Sequence, residues 1–400
     1  MIQPRAWRIL IVDDSAVMRS LLRTVIGTDT RLETVGTASD GASALRAMEA
    51  LHPDLILLDV EMPVMDGLST LKQMRMRGTK VPVIMCSTLT QRGARVTIEA
   101  LASGASDYVA KPSGFASREA AVKALAQEVS PKILALTSAT QQVPAAATRM
   151  GQPASVSTSG VGHVLTSHSD ARSWAPPPGY PKNQLPAIKL LPASTRHTVL
   201  LIGVSTGGPA ALELLLPALP ASFPLPVLVV QHMPELFTSL LAERLATRCP
   251  LRVREAATGE PVRPGAILIA RGNWHMEVTP SSSSSSPLIR LQQEVAENHC
   301  RPAVDVLFRS AVQVYGAGIL GVILTGMGSD GFAGCRLIRE HGGTVLAQDQ
   351  ATSAVWGMPG VVAQAGLAHR VLALNDIAPE ILRLAGRGQR EAVELRESVV

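Results

Sequence analysis

The 400-residue chain is poor in several things, and each shortage excludes something. Its four cysteines, Cys86, Cys249, Cys300 and Cys335, form no C-x-x-C pair, so neither a disulfide framework nor a zinc cluster organises the fold. Aromatic residues amount to five phenylalanines, four tryptophans and three tyrosines, which leaves few platforms for stacking bases. The formal net charge of +5 comes without any block of consecutive lysines or arginines, and nucleic acid is disfavoured as a partner. Apolar runs are short as well. None reaches the roughly 18–20 residues of a membrane-spanning helix, so membrane insertion is not expected. The opening MIQPRAWRILIVDD meets two aspartates too early for a signal peptide. The expectation is a soluble, cytoplasmic chain with reduced cysteines.

What is abundant is core material. Hydrophobic residues make up 46% and charged residues 17%, and the length suits two domains of roughly 100–200 residues each. The composition breaks in the middle. Between Ala139 and Ile188 the only charged residues are Arg149, Asp170, Arg172 and Lys182, set among Pro, Ser, Thr, Ala and Gly. Such a stretch buries too little apolar surface to offset its ordering entropy. The expected division is a first domain over 1–137, a flexible linker over 138–196 and a second domain over 197–390. A run of six serines, Ser281–Ser286, reads as an insertion at the tip of a hairpin made by His275–Val278 and Leu288–Leu291.

Short apolar strands alternate with amphipathic helices on both sides of the linker. The first domain has strands at Ile9–Val12, Leu32–Gly36, Leu55–Leu58, Val81–Met85 and Tyr108–Ala110. Its first helix carries Val17, Met18, Leu21, Leu22, Val25 and Ile26 on one face. Five such units predict a doubly wound (βα)5 parallel sheet. In the second domain, strands at Val199–Ile202, Val227–Val230, Ile267–Ala270, Gly321–Leu324 and Thr344–Ala347 precede helices beginning near Pro209, Glu235, Pro302 and Gly331. This predicts a second α/β parallel-sheet domain.

In the first domain chemistry-bearing residues stand at strand ends: Asp13 and Asp14, then Asp59, Ser87 and Lys111. Carboxyl ends of a doubly wound sheet converge on a ligand crevice. Crowded carboxylates there suit Mg²⁺, and a lysine point charge suits a phosphoryl group. Any one of these residues alone reads as a helix cap or loop residue; together they read as a site. VDDS, LLDVEMPVMDG, PVIMCST and DYVAKP over about residues 6–137 resemble the markers of response-regulator receiver domains. The resemblance implies that a histidine kinase phosphorylates Asp59. It also implies that Mg²⁺ is held by Asp14, Asp59 and the Glu61 carbonyl with Asp13 assisting, and that Ser87 and Tyr108 form a switch pair.

In the second domain VLLIGVSTGGP places Ser205 in a G-x-S-x-G turn from strand to helix, the geometry of a nucleophile elbow. The helix N-terminus offers N–H groups to a developing oxyanion. The serine needs a base and a group to orient it. Among nine histidines, His232 directly follows a strand of this domain, and Asp330 in GVILTGMGSDG is the best-placed carboxylate. Gly326 to Gly331 also spells G-x-G-x-x-G, with Asp349 at the spacing of a ribose ligand, which is a dinucleotide fingerprint. That reading leaves Ser205 and His232 unused. The order Ser…His…Asp also differs from that of α/β-hydrolases.

IGVSTGGP, QHMP, HCRPAVDVLF, GVILTGMGSDG and LAQDQATSAVWGMP, in that order over about residues 197–388, are similar to the chemotaxis protein-glutamate methylesterases, which join a receiver to this domain. The similarity implies hydrolysis of glutamate γ-methyl esters on chemoreceptors, and deamidation of receptor glutamines. Ser205, His232 and Asp330 would be nucleophile, base and orienting acid, with Thr206 supporting the imidazole and the Met327 N–H as an oxyanion donor. Mg²⁺ would serve the receiver alone, with no cofactor for the esterase. The resting receiver would cover the esterase cleft.

Overall fold

A computed structural model of the chain describes residues 5–112, 117–141, 192, 196–282 and 285–397. Nearly all of the expected linker, and residues 283–284 of the serine run, lie outside these. In the first domain β1 (Trp7–Val12), β2 (Leu32–Ala38), β3 (Leu55–Asp59), β4 (Val83–Ser87) and β5 (Asp107–Ala110) form a parallel sheet in the order β2-β1-β3-β4-β5. Every residue of β3 and β4 is buried, as expected of central strands covered on both faces. The order reverses between β1 and β3, which opens a crevice at their carboxyl ends.

The helices are α1 (Ala16–Gly27), α2 (Gly41–Leu51), α3 (Gly67–Met76), α4 (Gln91–Ala102) and α5 (Arg118–Gln141). The Ser15 hydroxyl caps α1 by accepting from the Met18 N–H, and Asp66 caps α3 by accepting from Ser69. The apolar face of α1 buries Met18, Leu21, Leu22, Val25 and Ile26. Val17 was expected with them but is 74% exposed. It sits about 100° around the helix from Met18, beyond the edge of the buried stripe. Helix α5 runs on to Gln141, past the expected boundary at 137.

The second domain has β6 (Val199–Val204), β7 (Val227–Gln231), β8 (Arg252–Glu255), β9 (Ala266–Ile269), the hairpin β10 (His275–Thr279) and β11 (Leu288–Gln292), β12 (Ile319–Ile323), β13 (Thr344–Gln348) and β14 (Arg370–Leu372). Seven of these form one parallel sheet, ordered β14-β13-β12-β6-β7-β9-β8. The helices are α6 (Gly208–Leu215), α7 (Glu235–Ala246), α8 (Val304–Tyr315), α9 (Phe332–Glu340), α10 (Met358–Gln364) and α11 (Leu374–Glu397). Helix α8 begins at Val304, near Pro302 as expected, with Ala303 still extended at φ −117° and ψ 141°.

The two domains pack together. Helix α4 lies against α6 and α7, and one buried apolar cluster runs from Ile98, Leu101 and Tyr108 into Phe237, Leu240 and Leu241. The Tyr108 ring stacks on Phe237 at a centroid distance of 4.5 Å. The face that carries Tyr108 is thereby turned onto α7 of the second domain.

Candidate active site and its acidic crevice

In the first domain the crevice forms as the strand order predicts. Asp13, at the end of β1, is fully buried, whereas Asp14 beside it is exposed. Asp59 closes β3 and is 3% exposed. One oxygen from each of Asp13, Asp14 and Asp59 lies within 4.8 Å of the others. Lys111 Nζ contacts Asp13 at 2.8 Å and Asp59 at 2.7 Å. The Glu61 N–H donates to Asp59 Oδ1 at 3.4 Å, which brings the Glu61 backbone alongside. Asp59 Oδ2 is buried without a hydrogen-bonding partner.

Burial pushes the Asp59 carboxyl up to about 6; the Lys111 ammonium opposes this and the Asp13 charge adds to it. An acidic cluster of oxygen donors with an orphaned carboxylate oxygen has the chemistry of a Mg²⁺ site. The buried Ser87 hydroxyl donates to its neighbour, the Thr88 carbonyl, at 3.1 Å. Tyr108 is turned inward, 6% exposed.

In the second domain β6 ends at Val204 and the chain turns through Ser205 into α6. Gly207 has φ 79°, and a Cβ there would come within 2.6 Å of Ala354 Cβ, so the turn requires glycine. Gly326 is needed for a different reason: a Cβ there would lie 2.8 Å from Ser205 Cβ. The elbow is braced from below, with the Ser205 N–H donating to the Thr325 carbonyl at 3.0 Å and Gln231 Nε2 donating to the Ser205 carbonyl at 3.0 Å.

His232, just beyond β7, meets Asp330 Oδ2 through Nε2 at 2.7 Å. Asp330 is 2% exposed and heavily hydrogen-bonded. The Val304 N–H donates to Oδ2 at 2.6 Å, and the Asp305 and Gly331 N–H groups donate to Oδ1 at 3.1 and 3.0 Å. The start of α8 thus holds it ionised. Burial alone would raise the Asp330 carboxyl, but the His232 contact and these N–H groups outweigh it and hold it below the ordinary range. Burial would likewise lower the imidazole, yet Asp330 and then Cys300 hold it above the usual histidine value.

With Nε2–H committed to Asp330, Nδ1 is the nitrogen left to act as a base. Its neighbour is the Cys300 thiol, at 3.5 Å; among the described residues the Ser205 hydroxyl makes no hydrogen bond to the ring. The Thr206 hydroxyl, buried, points the other way and donates to Asp107 Oδ2 of the first domain at 2.7 Å. Met327 is 36% exposed, and its N–H donates to no acceptor among the described residues.

The fingerprint reading of Gly326–Gly331 meets an obstacle here. Asp330, its fifth residue, is an ionised carboxylate that already takes the Gly331 N–H at 3.0 Å, so a pyrophosphate on this turn would meet a like charge and a committed donor. Sequence reasoning missed Asp107, Cys300, Asn298 and Asp305 as part of this neighbourhood. The last three surround the helix start after Pro302, and an aspartate in a first helical turn was the available signal.

Two α/β domains, one with a phosphoacceptor-type acidic crevice and one with a serine elbow beside a histidine–aspartate pair, define the class of response-regulator-controlled hydrolases. Comparison with known proteins carries this further. Residues 200–381 match the CheB methylesterase family and residues 9–123 the response regulator receiver domain. A protein-glutamate methylesterase/protein-glutamine glutaminase of a Nocardioides species is 47% identical over 380 residues, covering 95% of this chain and 96% of that protein. Its counterpart in Trichodesmium erythraeum is 44% identical, over 95% of this chain and 99% of its own length. The Thermotoga maritima CheB methylesterase catalytic domain is 40% identical, covering 47% of this chain and 98% of that one, with a TM-score of 0.46. The chain belongs to the CheB family of protein-glutamate methylesterases/protein-glutamine glutaminases with an amino-terminal receiver domain. No helix among the described residues is long and apolar enough to cross a membrane.

Proposed function

We propose that the chain removes methyl groups from glutamate γ-methyl esters of chemoreceptors, and deamidates receptor glutamines, under the control of a chemotaxis histidine kinase. The observation that carries the catalytic half is the 2.7 Å contact of His232 with a fully hydrogen-bonded Asp330 beside the Ser205 elbow. Ser205 Oγ attacks the ester carbonyl carbon and passes its proton to His232 Nδ1. The tetrahedral adduct collapses to an acyl-enzyme, and the departing methoxide takes that proton and leaves as methanol. Water, deprotonated by the same nitrogen, then attacks the acyl carbon; the bond to Ser205 Oγ breaks, the imidazolium returns the proton to that oxygen, and the glutamate carboxylate leaves. The Met327 N–H and the N–H groups of Thr206 and Gly207, which donate to no acceptor among the described residues, are the donors for the oxyanion.

In the receiver, Asp59 accepts the phosphoryl group. Asp13, Asp14, Asp59 and the Glu61 carbonyl would hold a Mg²⁺ ion, which supplies charge neutralisation at the phosphoryl oxygens. Lys111 pairs with the new charge, about −1.5 to −2, while Ser87 and Tyr108 reorganise the face beside them. That face now contacts the elbow through Asp107 and α7 through Tyr108. The unphosphorylated receiver therefore restrains the esterase, and phosphorylation releases it.

One contact supports a second reading. Cys300 Sγ, not Ser205 Oγ, is the group beside His232 Nδ1, which would make a cysteine the nucleophile. Ser205 is preferred because it sits on the strand-to-helix elbow, where the Thr206 and Gly207 N–H groups donate to no acceptor among the described residues. Methanol release by Ser205→Ala and Cys300→Ala variants decides. We expect Ser205→Ala to keep no more than the ~10³–10⁴-fold over water left to triad-deficient enzymes, and Cys300→Ala to retain turnover. The reverse pattern would assign the reaction to Cys300.

A further inference from the structure

Asp305 is a carboxylate that the mechanism above does not use. It is 3% exposed, and among the described residues no lysine, arginine or histidine forms an ion pair with it. Its nearest acidic neighbour is Asp330, whose Oδ1 accepts the N–H of Asp305 itself. Two such groups repel at close range, and an unpaired buried carboxylate is costly. Burial, and then the Asp330 charge, push the Asp305 carboxyl up to about 7.

Asn298 lies between the two. Its Nδ2 donates to Asp305 Oδ2 at 3.0 Å and to Asp330 Oδ1 at 2.9 Å. A carboxamide nitrogen carries two hydrogens, one for each carboxylate. The remaining Asp305 oxygen accepts from the Gly334 N–H at 2.6 Å, at the start of α9. The row His232–Asp330–Asn298–Asp305 thus continues the catalytic chain to a side chain anchored on another helix.

The local backbone explains how an exposed residue reaches inward. Glu297 and Cys300 exchange both backbone hydrogen bonds, at 3.1 and 2.8 Å. Asn298 and His299 form the tip of that turn, with φ 52° and 62°. Asparagine tolerates this left-handed region better than most residues. Cys300, which closes the turn, is the residue beside His232 Nδ1.

We propose that Asn298 is a positioning residue of the esterase: its amide ties Asp330 to Asp305 and so keeps Asp330 Oδ2 aimed at His232. This rests on reading Asp330 as the orienting acid. A residue kept only for the turn would give different results from one kept for its amide, and two substitutions separate them. Asn298→Gly preserves the left-handed turn and deletes the amide. Asn298→Asp preserves turn preference and size and replaces the donor by a third carboxylate.

The test measures methanol release by the full chain with a small-molecule phosphodonor and Mg²⁺, beside Ser205→Ala as control, with folding checked by circular dichroism. Loss of one hydrogen bond to a charged acceptor predicts a roughly tenfold to hundredfold fall in kcat for Asn298→Gly. The fall should be larger for Asn298→Asp, with KM within about twofold for both. The added charge in Asn298→Asp should also move the acid limb of the pH profile to higher pH, because it stabilises the imidazolium. In the double variant Asn298→Asp/Asp305→Asn the 298–305 bond is remade in reverse but Asp330 gains no donor, so kcat should stay low. Wild-type kcat in Asn298→Gly, or full rescue in the double variant, with Ser205→Ala inactive, would overturn the proposal. Activity retained by Ser205→Ala would instead overturn the reading of the site on which it rests.

Discussion

The contact between Thr206 and Asp107 makes the restraint between the domains measurable. Asp107→Ala removes the acceptor of a buried 2.7 Å hydrogen bond from the hydroxyl beside Ser205. Asp107 also holds the Tyr108 N–H at 2.8 Å, and Lys132 Nζ lies 3.5 Å from it. Lys132 keeps the Tyr108 carbonyl at 2.5 Å after truncation, so it is not left unpaired. The closed form then buries a Thr206 hydroxyl with no partner, while the open form exposes it to water. A hydrogen bond to a charged group contributes about 1.5–3 kcal/mol, so the closed–open ratio should fall roughly tenfold to hundredfold. Initial methanol release by the unphosphorylated full chain should rise by up to that factor, capped at the rate of a fragment beginning near residue 195. Asp107→Asn retains a neutral acceptor and should rise less. If Asp107→Ala stays at the wild-type resting rate while a phosphodonor still activates it, this contact does not hold the domains together.

Three further outcomes follow. The fragment beginning near residue 195 should be active without phosphate, and equal rates for it and the resting full chain would contradict restraint by the receiver. Because Asp330 holds the His232 imidazole above its usual value and the base must be neutral, the acid limb of kcat/KM should lie above the ordinary histidine value of about 6.5. Asp330→Asn should lower that limb, since burial then dominates; a wild-type limb at or below 6.5 would refute the assignment. Asp59→Asn should block phosphoryl labelling from the kinase, because an amide oxygen is a much weaker nucleophile than a carboxylate, and equal labelling would place the acceptor elsewhere.

Both sheets were legible in the sequence because their central strands are continuous apolar runs, such as LILLD in β3 and VLLIGV in β6, bounded by polar residues. The edges of the seven-stranded sheet were not. Strand β8, with the sequence RVRE, and the three-residue β14 lie at the two ends of the seven-stranded sheet, and a short polar edge strand has little periodicity to read. Ser205, His232 and Asp330 were singled out because each follows a strand, and parallel strands bring their carboxyl ends together. Nothing of that kind marked the Asp107–Thr206 bond, which joins residues 99 apart across two domains. Asn298 was equally silent, since its role depends on a turn and two helix starts meeting. Thr206 was expected on the imidazole from resemblance alone, whereas here its hydroxyl is engaged by the receiver.

The most direct test of a receiver-gated serine hydrolase is mass-spectrometric mapping of a serine-directed phosphonate on the full chain, before and after phosphorylation of Asp59. The account predicts an adduct on Ser205 that forms slowly in the resting protein and at least several-fold faster after treatment with phosphodonor and Mg²⁺. An adduct confined to Cys300, or labelling of Ser205 at the same rate in both states, would contradict it.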